Sequence, residues 1–251
     1  MYPRSFSEKL WNRMLHQRDP IFTLISDKLR VRDYVANKVG SEYLIPLLWS
    51  GEDSNEIPFD ELPLKFVIKT NHGAYYNIIV KDKMQLDQTN TRLQLNKWLS
   101  ENFGQDKFFG VAWGYKNIRP TIIVEEFLEE DGKVPVDYKF YCFSGKVEFM
   151  QIDFERFEGH KKAVFDRDFN QLDIAIGQKK YEGRPIRPEN FEEMVRVAEI
   201  LAENLDFIRV DLYNIDGKIF FGELTCYPGG GMLGFDPKEY DFLFGEKWNM
   251  K

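Results

Sequence analysis

The residues best suited to chemistry lie in one stretch, FIRVDLYNIDGKIFFGELTCYPGGGM, residues 207–232. Two apolar runs, 207–213 and 218–224, flank an Asn-Ile-Asp-Gly turn, which is a β-hairpin pattern. Each run holds one acid in its interior, Asp211 and Glu223. Strand interiors disfavour acids, which are seldom buried without a partner. Turn length decides whether the two can act together. A two-residue turn at Asp216-Gly217 pairs 211 with 222 and sends the acids to opposite faces. A three-residue loop over 215–217, with Gly217 at positive φ, pairs 211 with 221 and 209 with 223. Arg209, Asp211, Glu223 and Thr225 then share a face, with the acids as diagonal neighbours roughly 7–8 Å apart. Their oxygen donors suit Mg²⁺ beside phosphate better than zinc. The glycines that follow, Gly229, Gly230 and Gly231, leave backbone N–H groups open to an anion. The competing reading is a solvated hairpin face with two acids near an arginine, and the hairpin alone does not choose.

Other charged residues sit where phosphate could be met. Lys69 ends a strand-like run, 64–69, and is followed by Thr70-Asn71-His72-Gly73-Ala74-Tyr75 and a second run, 76–80. A short glycine loop with lysine at its entry can fold over phosphates, lysine acting as a point charge; the same pattern also describes an ordinary hairpin. The run TIIVEEFL, 121–128, reads as a buried strand entering the acids Glu125 and Glu126. A further hairpin, 138–143 with 147–153, turns at Ser144-Gly145; Lys139 interrupts its apolar face and Asp137 precedes it. Arg156 lies nearest the end of that hairpin and is a candidate substrate contact in a polar, basic loop over 155–187. There is no GxxxxGK[ST] and no GxGxxG, so neither common nucleotide fingerprint is present. His16, His72 and His160 are too dispersed for zinc or for a Ser-His-Asp order.

These residues need elements to position them. A chain of 251 residues makes one large domain or two small ones, and 43% hydrophobic content with 22 Phe supplies a sizeable core. Net charge −7 argues against a nucleic-acid partner, so affinity for phosphate must come from local lysines. Cys142 and Cys226 offer no disulfide framework. Without a signal peptide or an 18-residue apolar run, a cytoplasmic protein is expected. A helix over 5–17 places Phe6, Leu10, Trp11, Met14 and Leu15 on one face, with Arg4, Lys9, Arg13 and Arg18 making the remainder basic. Packing on the body of the protein is the favoured reading; docking to an anionic membrane or a partner enzyme is the other. A second helix is predicted from Ser26-Asp27 to Lys38, ending at Gly40. Residues 51–61 read as a surface connection. A helix over 87–103 turns Leu93, Trp98, Leu99 and Phe103 inward. The cleanest helix, 189–205, buries Phe191, Met194, Val195, Ala198, Leu201, Ala202 and Leu205.

Taken in order, SDKLRVRDYV, FVIKTNHGAYYNIIVKDK, VEEFL, DYKFYCFSGK and RVDLYNIDGKIFFGELTCYPGGG resemble the ATP-grasp superfamily. Within it they resemble the TupA-like branch of teichuronopeptide and surface-polysaccharide synthesis, over Asp27 to Gly234. The resemblance implies an α+β fold: two subdomains clasping ATP, a lid over 61–128 and a core with the metal site over 129–251, after a helical segment over 1–60. It implies that Lys28, early in its helix, and Lys69 contact phosphates, with His72 and Gly73 in the lid loop. It implies an adenine hinge at Glu125, Glu126, Phe127 and Leu128. It places Asp137 and Lys139 on the strand facing the terminal phosphate, Asp211, Glu223 and Thr225 as ligands of two Mg²⁺ (or Mn²⁺), and Gly229, Gly230 and Gly231 at the acyl phosphate. The implied reaction is ATP-dependent amide formation through an acyl phosphate, with Arg209 steadying the tetrahedral intermediate, on a uronic-acid-containing saccharide and an amine. Two alternatives stand beside it: a sugar kinase with Asp153 or Asp137 as base, and a non-catalytic ATP-binding partner of a glycosyltransferase. The chain is short for the superfamily, so a partner completing the acceptor site is a further expectation.

Overall fold

Residues 2–101, 112–130, 132–154, 161–177 and 179–250 are described by a computed structural model. Ser5 starts the first helix, α1 (Phe6–His16), with a capping box: its hydroxyl accepts from Glu8 N while Glu8 reaches back to Ser5 N. The helix predicted over 26–38 is two helices, α2 (Pro20–Ser26) and α3 (Val31–Lys38). The break is local chemistry. Asp27 Oδ1 accepts from Leu29 N (2.9 Å) and Arg30 N (3.1 Å), a side-chain turn that competes with helix. Lys28 therefore sits on a turn, not early in a helix.

The segment 1–60 is not wholly helical. It contributes β1 (Leu47–Gly51) to an antiparallel sheet with β2 (Phe66–Thr70), β3 (Asn77–Val80) and, after α4 (Gln88–Ser100), β4 (Ile122–Glu126). The order is β1-β4-β2-β3. Its core gathers Phe66, Ile68, Val80, Leu95, Ile122 and Val124 with Ile57, Phe59 and Leu62. Residues 51–61 are thus more than a surface connection, because two of their side chains fill this core. On α4 the buried positions are Thr91 and Leu95, and Leu93 is 63% exposed. Two residues is about 200° around a helix, so Leu93 cannot share a face with either. Phe103 lies outside the described residues.

The larger sheet contains β5 (Asp137–Phe143), β6 (Lys146–Phe154), β7 (Lys161–Asp166) and the short β8 (Gln171–Leu172), with β9 (Ala175–Ile176) apart from it. It continues with β10 (Lys179–Lys180) and, after α5 (Phe191–Leu201), with β11 (Phe207–Ile215) and β12 (Lys218–Thr225). The order is β10-β7-β6-β5-β11-β12, with β8 beside β7; β9 pairs instead with β13 (Phe235–Asp236), which leads to α6 (Glu239–Lys247). The loop expected over 155–187 is corrected in its described part: Ala163, Val164 and Phe165 are buried, and burying them makes a strand.

Alternation gives this sheet two faces. α5 covers one, with Phe191 against Phe140 (6.2 Å) and the Cys142 thiol 3.9 Å from the Ala198 carbonyl. α1 and the C-terminal segment cover part of the other, through Phe6–Phe207 (5.0 Å), Phe149–Phe244 (3.7 Å) and Phe207–Trp248 (4.6 Å). Of the apolar stripe of α1, Phe6, Leu10 and Met14 are buried in the protein's own core, while Trp11 (38%) and Leu15 (47%) stay exposed. Arg13, read as part of the basic surface, is fully buried. It pairs with Asp206, donates to the Phe207 carbonyl (2.9 Å) and lies over the Trp248 ring (4.4 Å). Among the described residues no helix is long and apolar enough to cross a membrane.

Candidate active site

The uncovered part of that second face is polar, and the β11–β12 hairpin builds it. The turn is the two-residue one, with Asp216 at φ 49° and Gly217 at φ 78°, so the three-residue loop is corrected. Pairing runs Ile215↔Lys218 to Leu212↔Phe221, then slips by one residue to Asp211↔Glu223 and Arg209↔Thr225. Gly222 is the extra residue of a β-bulge, and the bulge puts both acids on one face despite the short turn. A side chain there would crowd the strand: a Cβ on Gly222 would lie 3.1 Å from the Asp211 carbonyl oxygen and 3.2 Å from the Tyr213 ring. The acids are opposite neighbours rather than diagonal ones, which brings them closer together.

Arg209 ties this face together. Its Nη2 lies 2.7 Å from Asp211 Oδ2, 2.7 Å from Glu223 Oε1 and 3.0 Å from Thr225 Oγ1, while Nε donates to Asp211 Oδ1 (2.6 Å). Thr225 Oγ1 also donates to Glu223 Oε1 (2.8 Å). The three residues expected to hold metal thus converge on one cationic nitrogen. Two carboxylates and a hydroxyl are the hard oxygen donors that Mg²⁺ takes, so the set fits the ion in kind. A metal at that point and the present position of Arg209 exclude each other. Among the described residues no group of three or more His, Cys, Asp or Glu side chains is arranged for a metal.

Lys139 stands across from Asp211 and is buried between Asp137, which it contacts closely, and Asp211 (2.6 Å). Burial disfavours its charge, but the two carboxylates outweigh burial and hold its pKa above the ordinary lysine range. Burial pushes Asp211 up to about 6 against the pull of Arg209 and Lys139. Burial also opposes ionisation of Glu223, yet Arg209, Lys139 and Lys28 keep it well below the usual carboxylate range. Glu223, its side chain 44% exposed, is the acid most open to a ligand.

Facing this come groups from the smaller sheet and the α2–α3 turn. Lys28 Nζ donates to the Gly73 carbonyl. Burial lowers its pKa to about 8, with Glu223 and Glu125 opposing the shift and Lys69 adding to it, so these four groups share one electrostatic space. Lys69 pairs with Glu125 (2.7 Å), whose other oxygen takes Arg32 (2.9 Å). Glu125 thus orients cations, Glu126 points to solvent, Phe127 is buried and Leu128 half-buried. His72 is the expected loop contact that the structure does not bring in. Its ring is buried, with Nε2 3.1 Å from the Trp98 carbonyl and 3.2 Å from the Glu101 carbonyl at the end of α4. Neighbouring Asn71 is a hub, bound to Asp27 (2.9 Å), the Arg119 carbonyl (3.0 Å) and Thr121 N (2.8 Å). Gly229, Gly230 and Gly231 all have positive φ (60°, 61° and 78°), and a Cβ on Gly231 would meet Met14 of α1 at 3.0 Å. Arg156 lies outside the described residues.

Sequence reading missed Arg32, Asn71 and Gln151. Arg32 lay within the quoted SDKLRVRDYV, but nothing local links it to Glu125. Asn71 in a glycine loop reads as turn chemistry. Gln151 stands in an apolar run, as Lys139 does, and that interruption was the available signal. Two open surface cavities of about 760 Å³ each lie elsewhere: one beside α5 and one along β8 and β10.

No curated protein matches the chain. Solved structures with a similar course include a D-alanine–D-alanine ligase from Bacillus anthracis, 17% identical, with TM-score 0.48, covering 82% of this chain and 58% of that one. Another is the D-alanine–D-alanine ligase from Helicobacter pylori, 14% identical, with TM-score 0.49, covering 90% and 60%. The chain therefore spans less than two thirds of the length of these proteins. The model of one family, described as TupA-like ATP-grasp, matches residues 8–249, nearly the whole length, and the chain belongs to that family.

Proposed function

We propose that the protein is an ATP-dependent ligase that joins a carboxylate to an amine through an acyl phosphate. The acid of choice is a uronic-acid-containing surface polysaccharide or its precursor, and the amine an amino acid or simple amine. One observation carries the reading: Asp211, Glu223 and Thr225 converge on a single cationic nitrogen, on a face whose electrostatic neighbours include Lys28 and Lys69. Lys28 and Lys69 bind the phosphates, and Lys139 offsets charge on the terminal one. Asp211, Glu223 and Thr225 hold Mg²⁺, which when bound neutralises the triphosphate. The substrate carboxylate takes the γ-phosphoryl group and ADP leaves; the amine then displaces phosphate and loses a proton. Arg209, released from the acids, donates to the oxyanion of the tetrahedral intermediate, and the N–H groups of 229–231 face the acyl phosphate. The backbone of 125–128 pairs with the base.

Incubating ATP with uronic acids and amines, separately and together, tests this. The proposal expects ADP only when both substrates are present. ADP with the sugar alone indicates a kinase, and binding without ADP under any combination indicates a non-catalytic partner; either result overturns ligation.

A further inference from the structure

Gln151 stands in the middle of β6, 2% exposed, with an oxygen that finds no donor among the described residues. Its amide nitrogen donates to Asp153 Oδ1. That bond fixes which way the amide lies, since the reversed amide would set its oxygen against a carboxylate. Oε1 is left buried and without a hydrogen-bond partner. Register puts Gln151 directly opposite Lys139, which is opposite Asp211, which is opposite Glu223. The orphan oxygen therefore belongs to the same polar face, one strand beyond the groups given roles above.

The surroundings select the ligand. Two of the three N–H groups of Lys139 go to Asp137 and Asp211, a third is unused among the described residues, and register sets Gln151 across from this lysine. Asp137 and Asp153 face each other across the two strands, and Lys162 of β7 faces Asp153 on its far side. A phosphate oxygen has no proton for Gln151 and would meet these carboxylates. An ammonium would meet Lys139. A hydroxyl fits both neighbours: it donates to Gln151 Oε1 and accepts from Lys139.

We propose that Gln151 binds a hydroxyl of a sugar ring in the reactive cleft, with Asp153 as the positioning residue that holds its amide in orientation. The inference rests on the nucleotide-and-saccharide reading, and its two sources are the ribose of the nucleotide and the acceptor sugar.

Calorimetry with ADP, 2′-deoxy-ADP, 3′-deoxy-ADP and glucuronic acid separates them, on wild type, Gln151→Met, Asp153→Asn and Asp153→Leu. If the ribose is the source, wild type prefers ADP to one deoxy analogue by about ten-fold, and Gln151→Met binds both equally. If the acceptor is the source, ADP affinity is unchanged and glucuronic acid weakens about ten-fold in Gln151→Met. In either case Asp153→Asn, which keeps an acceptor for the amide, retains the wild-type pattern and Asp153→Leu loses it. Gln151→Met melts no lower than wild type, because it removes an unpaired acceptor; a structural glutamine would melt lower. Unchanged preference and unchanged glucuronic acid affinity in Gln151→Met overturn the proposal and leave an internal water as the occupant. Wild type that binds neither ADP nor glucuronic acid overturns the underlying reading as well.

Discussion

Two arginine–aspartate pairs stand near each other on this sheet, Arg13–Asp206 and Arg209–Asp211, and they do opposite work. Arg13 is enclosed. Its guanidinium has Asp206, the Phe207 carbonyl and Gln17 as partners and lies near the rings of Trp248 and Phe22. Asp206 in turn accepts from Phe207 N (2.8 Å) and Trp248 Nε1 (3.0 Å). Every polar group found there is satisfied within the protein, so the pair fastens α1 and the C-terminus to β11. Arg209, two residues beyond Phe207, reaches acids of which one is nearly half-exposed. Its own side chain is 11% exposed, where that of Arg13 is fully enclosed. The same contrast divides the whole face: Tyr141, Phe143, Phe149 and Phe207 lie in the part packed by α1 and the C-terminal segment, while Lys139, Gln151, Asp211 and Glu223 lie in the polar part, where Lys28 of the α2–α3 turn acts on Glu223. Strand alternation chooses the face; helix coverage chooses which end of it becomes core and which becomes site.

The comparison can be broken most severely at the hairpin. Gly222→Val crowds the bulge against the Asp211 carbonyl, and the regular ladder of the two-residue turn then pairs 211 with 222 and turns Glu223 to the core face. ADP release should vanish with it, and a variant with normal turnover would show that the shared face is irrelevant. Next come substitutions that should separate the two ends. Phe207→Ala in the covered part should cost about 3–5 kcal/mol in denaturant unfolding. Glu223→Gln and Lys69→Ala should lower ADP release by about 100-fold or more while leaving the melting temperature near that of wild type. The arginines sharpen this. Arg13→Ala should destabilise by about 3–5 kcal/mol, since Asp206 is left buried and unpaired. Arg209→Ala should lower turnover more than stability, because Asp211 keeps Lys139. Equal stability losses in the two variants would dissolve the distinction.

The smallest effect is a pH dependence. Burial lowers the Lys28 pKa to about 8 from the ordinary 10.5. Below pH 8 the lysine is charged in both folded and unfolded chains, and the full cost of burying that charge is present. As pH rises from 8 toward 10.5 only the unfolded chain stays protonated, so this group's contribution to stability improves. Nucleotide affinity should move the other way and weaken above pH 8 as the charge is lost. Lys28→Arg should flatten that affinity profile, as measured by calorimetry across pH 7–9.5.

Much of this was legible from residue types. Two acids in one hairpin, with an arginine two residues before one of them, posed the question of a shared face, and the structure answers it through the bulge. The means was not legible, because Gly222 in FFGEL looks like any strand glycine and only the pairing shows the slip. Arg13 was misplaced: it was read with the basic remainder of α1, although helical spacing puts it on the stripe of Phe6, Leu10 and Met14, where it is buried. His72 was placed in the lid loop by the resemblance alone, and its contacts with the carbonyls of Trp98 and Glu101 could not be read because they lie more than twenty residues away in sequence. Arg32 and Asn71 were hidden for the same reason, their partners being set by tertiary contact alone.

A crystal structure with a non-hydrolysable ATP analogue and Mg²⁺ tests the central claim most directly. The account predicts terminal phosphates between Lys28 and Lys69 on one side and the Asp211–Glu223 face on the other, with Arg209 withdrawn from at least one acid and an ion in its place. A nucleotide bound elsewhere, or bound with the Arg209 bridge to both acids unchanged, would contradict it.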